Sequence, residues 1–185
     1  MLVLRTIAAV AGWLACVLGA RLEMPFVGPA LVSVMLVAHT ATVADLLRQF
    51  RPVLILGVLG SLAESAWIAG GAYAPAEAMR GSLLCPLWIT ALWLNTAVFV
   101  QGAPAAGNSK SLAVASLVGA ILTPAGYAMA AGLGAIFVAW RPAPALAAAA
   151  AYGAVIAPLA VWLIHGRPSR LTPPPPHASH ESTHG

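Results

Sequence analysis

Charged side chains are scarce in this sequence. Only 8% of its 185 residues are charged, nine basic and five acidic, whereas 61% are hydrophobic. A soluble domain carries about a quarter charged residues, because its surface has to face water. So few charges cannot cover a water-exposed surface of this size. The composition therefore excludes a soluble globular domain and indicates a protein embedded in lipid.

Cysteine is equally scarce, with only Cys16 and Cys85. Neither has a histidine or another cysteine at ligand spacing, so we expect no metal, no redox motif and no cofactor. Both lie in apolar stretches, which favours simple packing among helices. Their predicted position toward the non-cytoplasmic ends of two helices leaves a disulfide as the alternative.

Enzyme signatures are absent from the sequence as well. It contains no Gly-x-Ser-x-Gly, phosphate loop, dinucleotide fingerprint or His-Glu-x-x-His. The net charge of +4 comes from basic residues that stand singly or in pairs. Without a basic patch or an aromatic platform, they argue against a nucleic-acid partner. These absences favour a role other than catalysis.

What the sequence does have is six apolar blocks, separated by short polar or proline-containing breaks. A helix needs about 20 apolar residues to cross the hydrocarbon core of a bilayer, and most of the blocks approach that length. We therefore predict an all-α membrane helix bundle with six transmembrane helices in residues 1–166. The predicted spans are residues 6–20, 26–47, 53–73, 83–100, a stretch within 112–140, and 144–164.

The remaining residues, 167–185, differ in composition. They contain four consecutive prolines, from Pro173 to Pro176, followed by three histidines. A proline run favours extended structure, and nothing after it can be buried. We predict a disordered cytoplasmic tail.

The placement of basic residues predicts the orientation, because Lys and Arg are enriched in cytoplasmic loops. With the N-terminus inside, six of the nine basic residues are cytoplasmic and three face the opposite side. The six are Arg5, Arg48, Arg51, Lys110, Arg167 and Arg170, and the three are Arg21, Arg80 and Arg141. This asymmetry predicts that both termini are cytoplasmic.

Glu64 is an acidic residue inside a predicted span. It lies eleven residues after Val53, about 16 Å along the helix axis, which places it near the middle of the bilayer. Gly57 and Ser61 fall on the same helix face, and such a small-and-polar stripe lets another helix approach closely. An ionisable group at this depth is expensive, so Glu64 is a candidate functional residue.

Three further polar side chains are predicted at similar depth: His39, Asn95 and Tyr127. Together with Glu64 they would form a polar intramembrane pocket, with His39 as the partner of the carboxyl group. The alternative is that each makes a local hydrogen bond that joins two helices. In the fifth block, glycines at three positions are predicted to serve helix packing: Gly119, Gly126 and Gly134.

Three stretches of the sequence together resemble a known family. They are Glu64-Ser65, then Pro86-Leu87-Trp88 with Ala91-Leu92-Trp93, and finally Gly119 through Pro124 to Tyr127 and Gly134. The pattern is similar to the bacterial membrane family catalogued as domain of unknown function 2878. The resemblance covers nearly the whole chain before the tail. It implies a small multi-pass protein of the bacterial inner membrane without an established activity.

Three functions stay open at this point. The first is an accessory component of a membrane assembly or lipid-modification system, with a membrane protein or a lipid as partner besides the bilayer. The second is a small proton-coupled transporter or exporter that uses Glu64. The third is an intramembrane enzyme acting on lipid, with Glu64 and His39 as acid and base.

Overall fold

Six helices and two short strands make up the computed structural model, which describes residues 2–41, 46–76, 84–102, 109–139 and 141–165. The two strands follow the third and the fifth helix. In chain order the elements are α1 (Leu2–Arg21), α2 (Val27–Ala41), α3 (Leu46–Ala69), β1 (Tyr73–Pro75), α4 (Leu87–Gln101), α5 (Ser109–Gly132), β2 (Ile136–Val138) and α6 (Pro142–His165). The predicted tail lies outside the described residues.

Four of these helices, α1, α3, α5 and α6, are long and apolar enough to cross a membrane. Within the described residues α2 and α4 contain 15 residues each. At a rise of 1.5 Å per residue this is about 22 Å, less than the roughly 30 Å of a hydrocarbon core. The all-α membrane helix bundle is thus confirmed, whereas the number of six crossings stays a prediction.

The helices alternate in direction, and polar contacts identify one end of the bundle. Arg5, at the start of α1, donates to the carbonyl oxygen of Gly102 over 2.8 Å, directly after α4. His39, near the end of α2, lies 3.0 Å from the amide oxygen of Gln101. His165, which ends α6, contacts the carbonyl oxygen of Val100 at 3.0 Å. The start of α1 therefore lies beside the ends of α2, α4 and α6.

The opposite end carries a two-stranded antiparallel sheet, which the sequence pattern did not predict. Tyr73 pairs with Val138, and Pro75 with Ile136. The predicted third span ran to residue 73 and the fifth block to residue 140, so both included residues that belong to the sheet. Each helix ends before the sheet because a glycine follows it in the left-handed region, Gly71 at φ 70° and Gly134 at φ 76°.

Proline does not interrupt the helices where the sequence suggested a boundary. The predicted third span began after Pro52, but α3 starts at Leu46 and includes Pro52 in its second turn. The missing N–H costs one helical hydrogen bond there, and the flanking turns continue. The helices α5 and α6 each contain a proline as well, Pro124 and Pro158, and both continue through it.

The α5–α6 pair depends on glycine at one crossing. A side chain at Gly119 would collide with the backbone of Gly153 and would lie 2.6 Å from the Cβ atom of Ala157. Ser116 also donates to the carbonyl oxygen of Ala154 over 2.7 Å. Small residues at a crossing let two backbones approach closely and gain van der Waals contact.

The other two glycines of the fifth block have surroundings that differ from those of Gly119. An added Cβ atom at Gly126 would meet none of the described residues within 4 Å, so no described neighbour requires a glycine there. Gly134 lies beyond the end of α5, where its positive φ serves the turn into β2, and an added Cβ atom would lie 3.1 Å from the Arg21 side chain. The packing role of both glycines was predicted from their spacing in the sequence. That spacing does not show where the helix ends or on which side the neighbouring helix lies.

The two positions offer a matched test. We expect Gly119→Ala to lower the free energy of unfolding by about 1–3 kcal/mol, because the methyl group overpacks the α5–α6 crossing. Gly126→Ala should raise it by up to about 1 kcal/mol, because alanine favours the helix. Unfolding by SDS titration in detergent micelles measures both. Equal effects of the two substitutions would contradict this packing.

Candidate functional site

The carboxyl group of Glu64 is the centre of a buried polar cluster. The side chain is 5% exposed. Tyr73 donates to its Oε2 atom over 2.5 Å. The hydroxyl of Tyr127 lies 2.8 Å from Oε1 and 2.7 Å from Oε2. We call these three residues the Glu64 cluster; it joins α3, β1 and α5 through one carboxyl group.

The three elements bring these side chains together from distant parts of the sequence. Glu64 lies five residues before the end of α3 at Ala69, about 7.5 Å along the axis. The glycine turn after α3 returns the chain, so that Tyr73 of β1 reaches back to the helix that precedes it. Tyr127 lies three residues after Pro124 of α5.

The position of Glu64 along its helix differs from the predicted one. The candidate span in α3 covers Phe50–Ala69, so Glu64 belongs to its last third, toward the sheet. The sequence placed it near the midplane because the predicted span was shifted toward the C-terminus. The helix in fact begins earlier and ends at the glycines that lead into β1.

Aromatic rings surround the cluster. Trp67 stacks on Tyr127, with ring centroids 6.1 Å apart, and lies 5.4 Å from the ring of Tyr152. Tyr73 and Tyr127 are 5.5 Å apart. Trp93 of α4 meets Tyr152 edge-on, with ring centroids 6.3 Å apart. Five aromatic side chains from five elements thus enclose one acid.

The described surroundings of Glu64 contain hydrogen-bond donors but no counter-charge. The donors to its carboxyl group are the hydroxyls of Tyr73 and Tyr127, both of them neutral. Burying an ionised carboxylate without a cation is costly even when hydrogen bonds are made. Among the described residues, such surroundings suit a carboxyl group that holds a proton.

A row of small polar residues extends from the cluster along the α3–α4 contact. Ser61 donates to the carbonyl oxygen of Gly57 over 2.8 Å and lies 2.9 Å from the hydroxyl of Thr90. Ser65 accepts the backbone N–H of Cys85 at 3.0 Å. The predicted stripe of Gly57 and Ser61 thus faces α4, and an added Cβ atom at Gly57 would lie 2.6 Å from Leu94.

The predicted four-residue pocket does not form. Of its members, only Glu64 and Tyr127 meet. His39 lies at the opposite end of the bundle, beside Gln101. Asn95 donates to the carbonyl oxygen of Ala9 over 2.8 Å and so joins α4 to α1. Similar depth in the bilayer was the reason for grouping these residues, but depth does not determine which helices are neighbours.

Four aromatic residues of the site were not predicted: Trp67, Tyr73, Trp93 and Tyr152. One of them had a usable signal, because Trp67 follows Glu64 by three positions and residues three apart share a helix face. Tyr73 could not be found in this way, since it was assigned to the helix itself. The positions of Trp93 and Tyr152 depend on the packing of α4 and α6 against α3.

The two cysteines are free thiols in the structure, so the alternative of a disulfide between them is wrong. Cys16 is buried beside Gly28, where any side chain would collide with it. Cys85 is half-buried and lies between β1 and α4. Within the described residues, no group of three His, Cys, Asp or Glu side chains is placed to hold a metal ion.

The sequence is similar to a known protein family. The family described as "Protein of unknown function (DUF2878)" matches residues 2–162, which include all six helices up to the last turn of α6. No curated protein gives a significant match. No solved structure does so either.

Two tyrosine substitutions test the hydrogen bonds of the cluster. We expect Tyr127→Phe to lower the free energy of unfolding by about 1–3 kcal/mol, because it removes a hydroxyl from a buried carboxyl group. Tyr152→Phe is the control. The buried hydroxyl of Tyr152 has no hydrogen-bond partner among the described residues, so its removal should be neutral or slightly stabilising.

Unfolding by SDS titration in micelles measures both variants. If Tyr152→Phe proves as destabilising as Tyr127→Phe, the Tyr127 hydroxyl makes no special contribution and the assigned hydrogen bonds are wrong.

Proposed function

The chain belongs to the DUF2878 family of proteins of unknown function, and from this premise we propose that it is an accessory component of a membrane assembly or lipid-modification system. It is a multi-pass protein of the bacterial inner membrane with both termini in the cytoplasm. The observation that supports this proposal best is the closure of the Glu64 carboxyl group by two tyrosines.

That closure favours a structural or binding role over acid–base chemistry. An intramembrane enzyme with Glu64 and His39 as acid and base requires these side chains to meet around a substrate. They lie at opposite ends of the bundle, and His39 contacts Gln101 instead. The hydrogen bonds of Tyr73 and Tyr127 orient the carboxyl group and hold β1 and α5 against α3.

A small proton-coupled transporter is the second candidate, and one observation favours it. Tyr127 follows Pro124 by one helical turn, and a proline inside a helix removes a backbone hydrogen bond and allows bending. Bending of α5 there would move a hydroxyl that holds the Glu64 carboxyl group. Transport would then exchange the proton of Glu64 against a cargo as the tyrosine leaves.

Lipid profiling of a deletion strain separates these candidates. The measurement does not require the lipid substrate to be known in advance. We expect deletion to change the proportions of membrane lipids and the wild-type gene to restore them. An accessory role predicts that Glu64→Gln also restores them in part, because glutamine still accepts hydrogen bonds from the tyrosines. If the Glu64→Gln variant restores the lipid profile but loses proton-linked uptake in membrane vesicles, the transporter is favoured instead.

The orientation is testable separately. Fusion of a reporter that is fluorescent only in the cytoplasm should give a signal at either terminus. A fusion inserted between β1 and α4, on the predicted opposite side, should give none. Fluorescence from the internal fusion and none from the terminal fusions would reverse the proposed topology.

A further inference from the structure

The two-stranded sheet has an edge whose backbone groups are not used within it. Ala139 donates to the carbonyl oxygen of Ala72, which identifies the residues that bond across the pair. Since only every second residue of an antiparallel strand bonds to its neighbour, the N–H and C=O groups of Ile136 and Val138 point away from β1. Among the residues that the structure describes, no other backbone group bonds to them.

The opposite edge of the sheet is protected, whereas the β2 edge is not. Edge strands commonly carry a proline or a charge, because an open edge pairs readily with another chain. In β1, Pro75 has no N–H group, and both Tyr73 and Pro75 are buried. β2 has the sequence Ile-Phe-Val, without proline or charge, and its Phe137 and Val138 are 53% and 39% exposed. The β2 edge is therefore open to a further strand.

The helix that leads into β2 is also the least buried of the four long helices. In the candidate span of α5, 6% of the residues are buried, against 17% to 33% in the other three. Its outward face is apolar and includes Leu117, Ile121 and Leu122. Only residues 133–135 separate α5 from β2, so a membrane-embedded partner that pairs with the strand would also stand beside this helix.

The sheet packs on the bundle with one of its faces. Tyr73, Pro75 and Ile136 lie on that face and are buried, and the hydroxyl of Tyr73 reaches Glu64 of α3. Phe137 lies on the opposite face, because successive side chains of a strand alternate. The sheet thus covers the end of the bundle, and an axis perpendicular to it follows the membrane normal. Identical copies in one bilayer are related by an axis in that direction.

The β2 edge is complementary to itself. Two antiparallel copies of β2 pair about a twofold axis at Phe137, with Ile136 of each copy opposite Val138 of the other. Both of these residue pairs exchange two hydrogen bonds, so every outward backbone group of the strand obtains a partner. Phe137 then faces its own counterpart as a non-hydrogen-bonded pair, in which the Cα atoms are about 4.5 Å apart and the rings are in contact.

We propose that the β2 edge joins two copies of this chain into a dimer, whose sheet of four strands continues from one copy into the other. Phe137 forms the centre of the interface, and the outward faces of the two α5 helices stand on either side of it. Such an interface uses the same surface of both copies and closes on itself, so assembly stops at the dimer. The proposal concerns assembly and is independent of the accessory function.

Cysteine crosslinking of the full chain in bacterial membranes tests this arrangement. In the Phe137→Cys variant the introduced thiols face each other across the axis, at a separation that a disulfide can bridge. Oxidation with copper phenanthroline should give a dimer on a non-reducing gel, and dithiothreitol should reverse it. The wild type, which has only Cys16 and Cys85, should stay monomeric on the same gel.

Phe26→Cys is the matched control for collisions in the membrane. Phe26 lies at the same end of the bundle, directly before α2, and is 71% exposed. It has no place in the proposed interface, so its variant should give no dimer. Equal crosslinking of Phe26→Cys and Phe137→Cys would show random collision and overturn the proposal.

Substitution of Val138 tests the hydrogen bonds between the copies. Val138→Pro removes an outward N–H group and leaves the bonds between β1 and β2 in place, whereas Val138→Ala keeps this group. Combined with Phe137→Cys, we expect Val138→Pro to lower the crosslinked fraction at least about tenfold, because two hydrogen bonds between the copies are lost. Val138→Ala should retain the crosslink. An undiminished crosslink in the proline variant would contradict the assigned pairing.

Light scattering of the wild type in a mild maltoside detergent measures the assembly without any substitution, and it decides if a variant does not fold. We expect the mass of two chains for the wild type and of one chain for Val138→Pro. A monomeric wild type would overturn the proposal. A crosslinked product of Phe137→Cys that contains a different protein would do so as well, because the strand edge would then belong to another partner.

Discussion

A carboxyl group inside a lipid-embedded helix bundle has to obtain its hydrogen bonds from the protein itself, because the hydrocarbon provides none. This requirement, set by Glu64, organises one end of the fold. Tyr73 can reach the carboxyl group only because the chain turns back after α3, and Tyr127 only because α5 packs beside that turn. The two-stranded sheet holds the chain segments that follow α3 and α5 side by side.

The remainder of the bundle is held by contacts of a different kind. At the opposite end, Arg5 donates to the carbonyl oxygen of Gly102, which follows α4. Between α5 and α6, the backbones of Gly119 and Gly153 pack directly against each other, without side chains between them. An apolar side chain gains little by moving from lipid into the bundle, because lipid tails are equally apolar. The helices therefore associate through close packing and internal hydrogen bonds.

The helices were largely predictable, because length and apolarity distinguish a membrane helix in the sequence. The sheet was not, because a strand such as Ile136–Val138 inside an apolar run looks like a continuation of the helix. The site was half predictable. An acid in a span draws attention by itself, which identified Glu64, whereas its partners depend on which helices are neighbours. Tyr73 was therefore missed, and His39 was wrongly placed beside Glu64.

The central claim is that Tyr73 and Tyr127 hold the carboxyl group of Glu64 inside the bundle. Solid-state NMR on the protein in lipid bilayers, with labelled glutamate and tyrosine, tests it most directly. The account predicts short-range cross-peaks between the Glu64 carboxyl carbon and the hydroxyl-bearing ring carbons of both tyrosines. Each cross-peak should vanish when the corresponding tyrosine is replaced by leucine. A Glu64 carboxyl carbon without contact to either tyrosine would contradict the account.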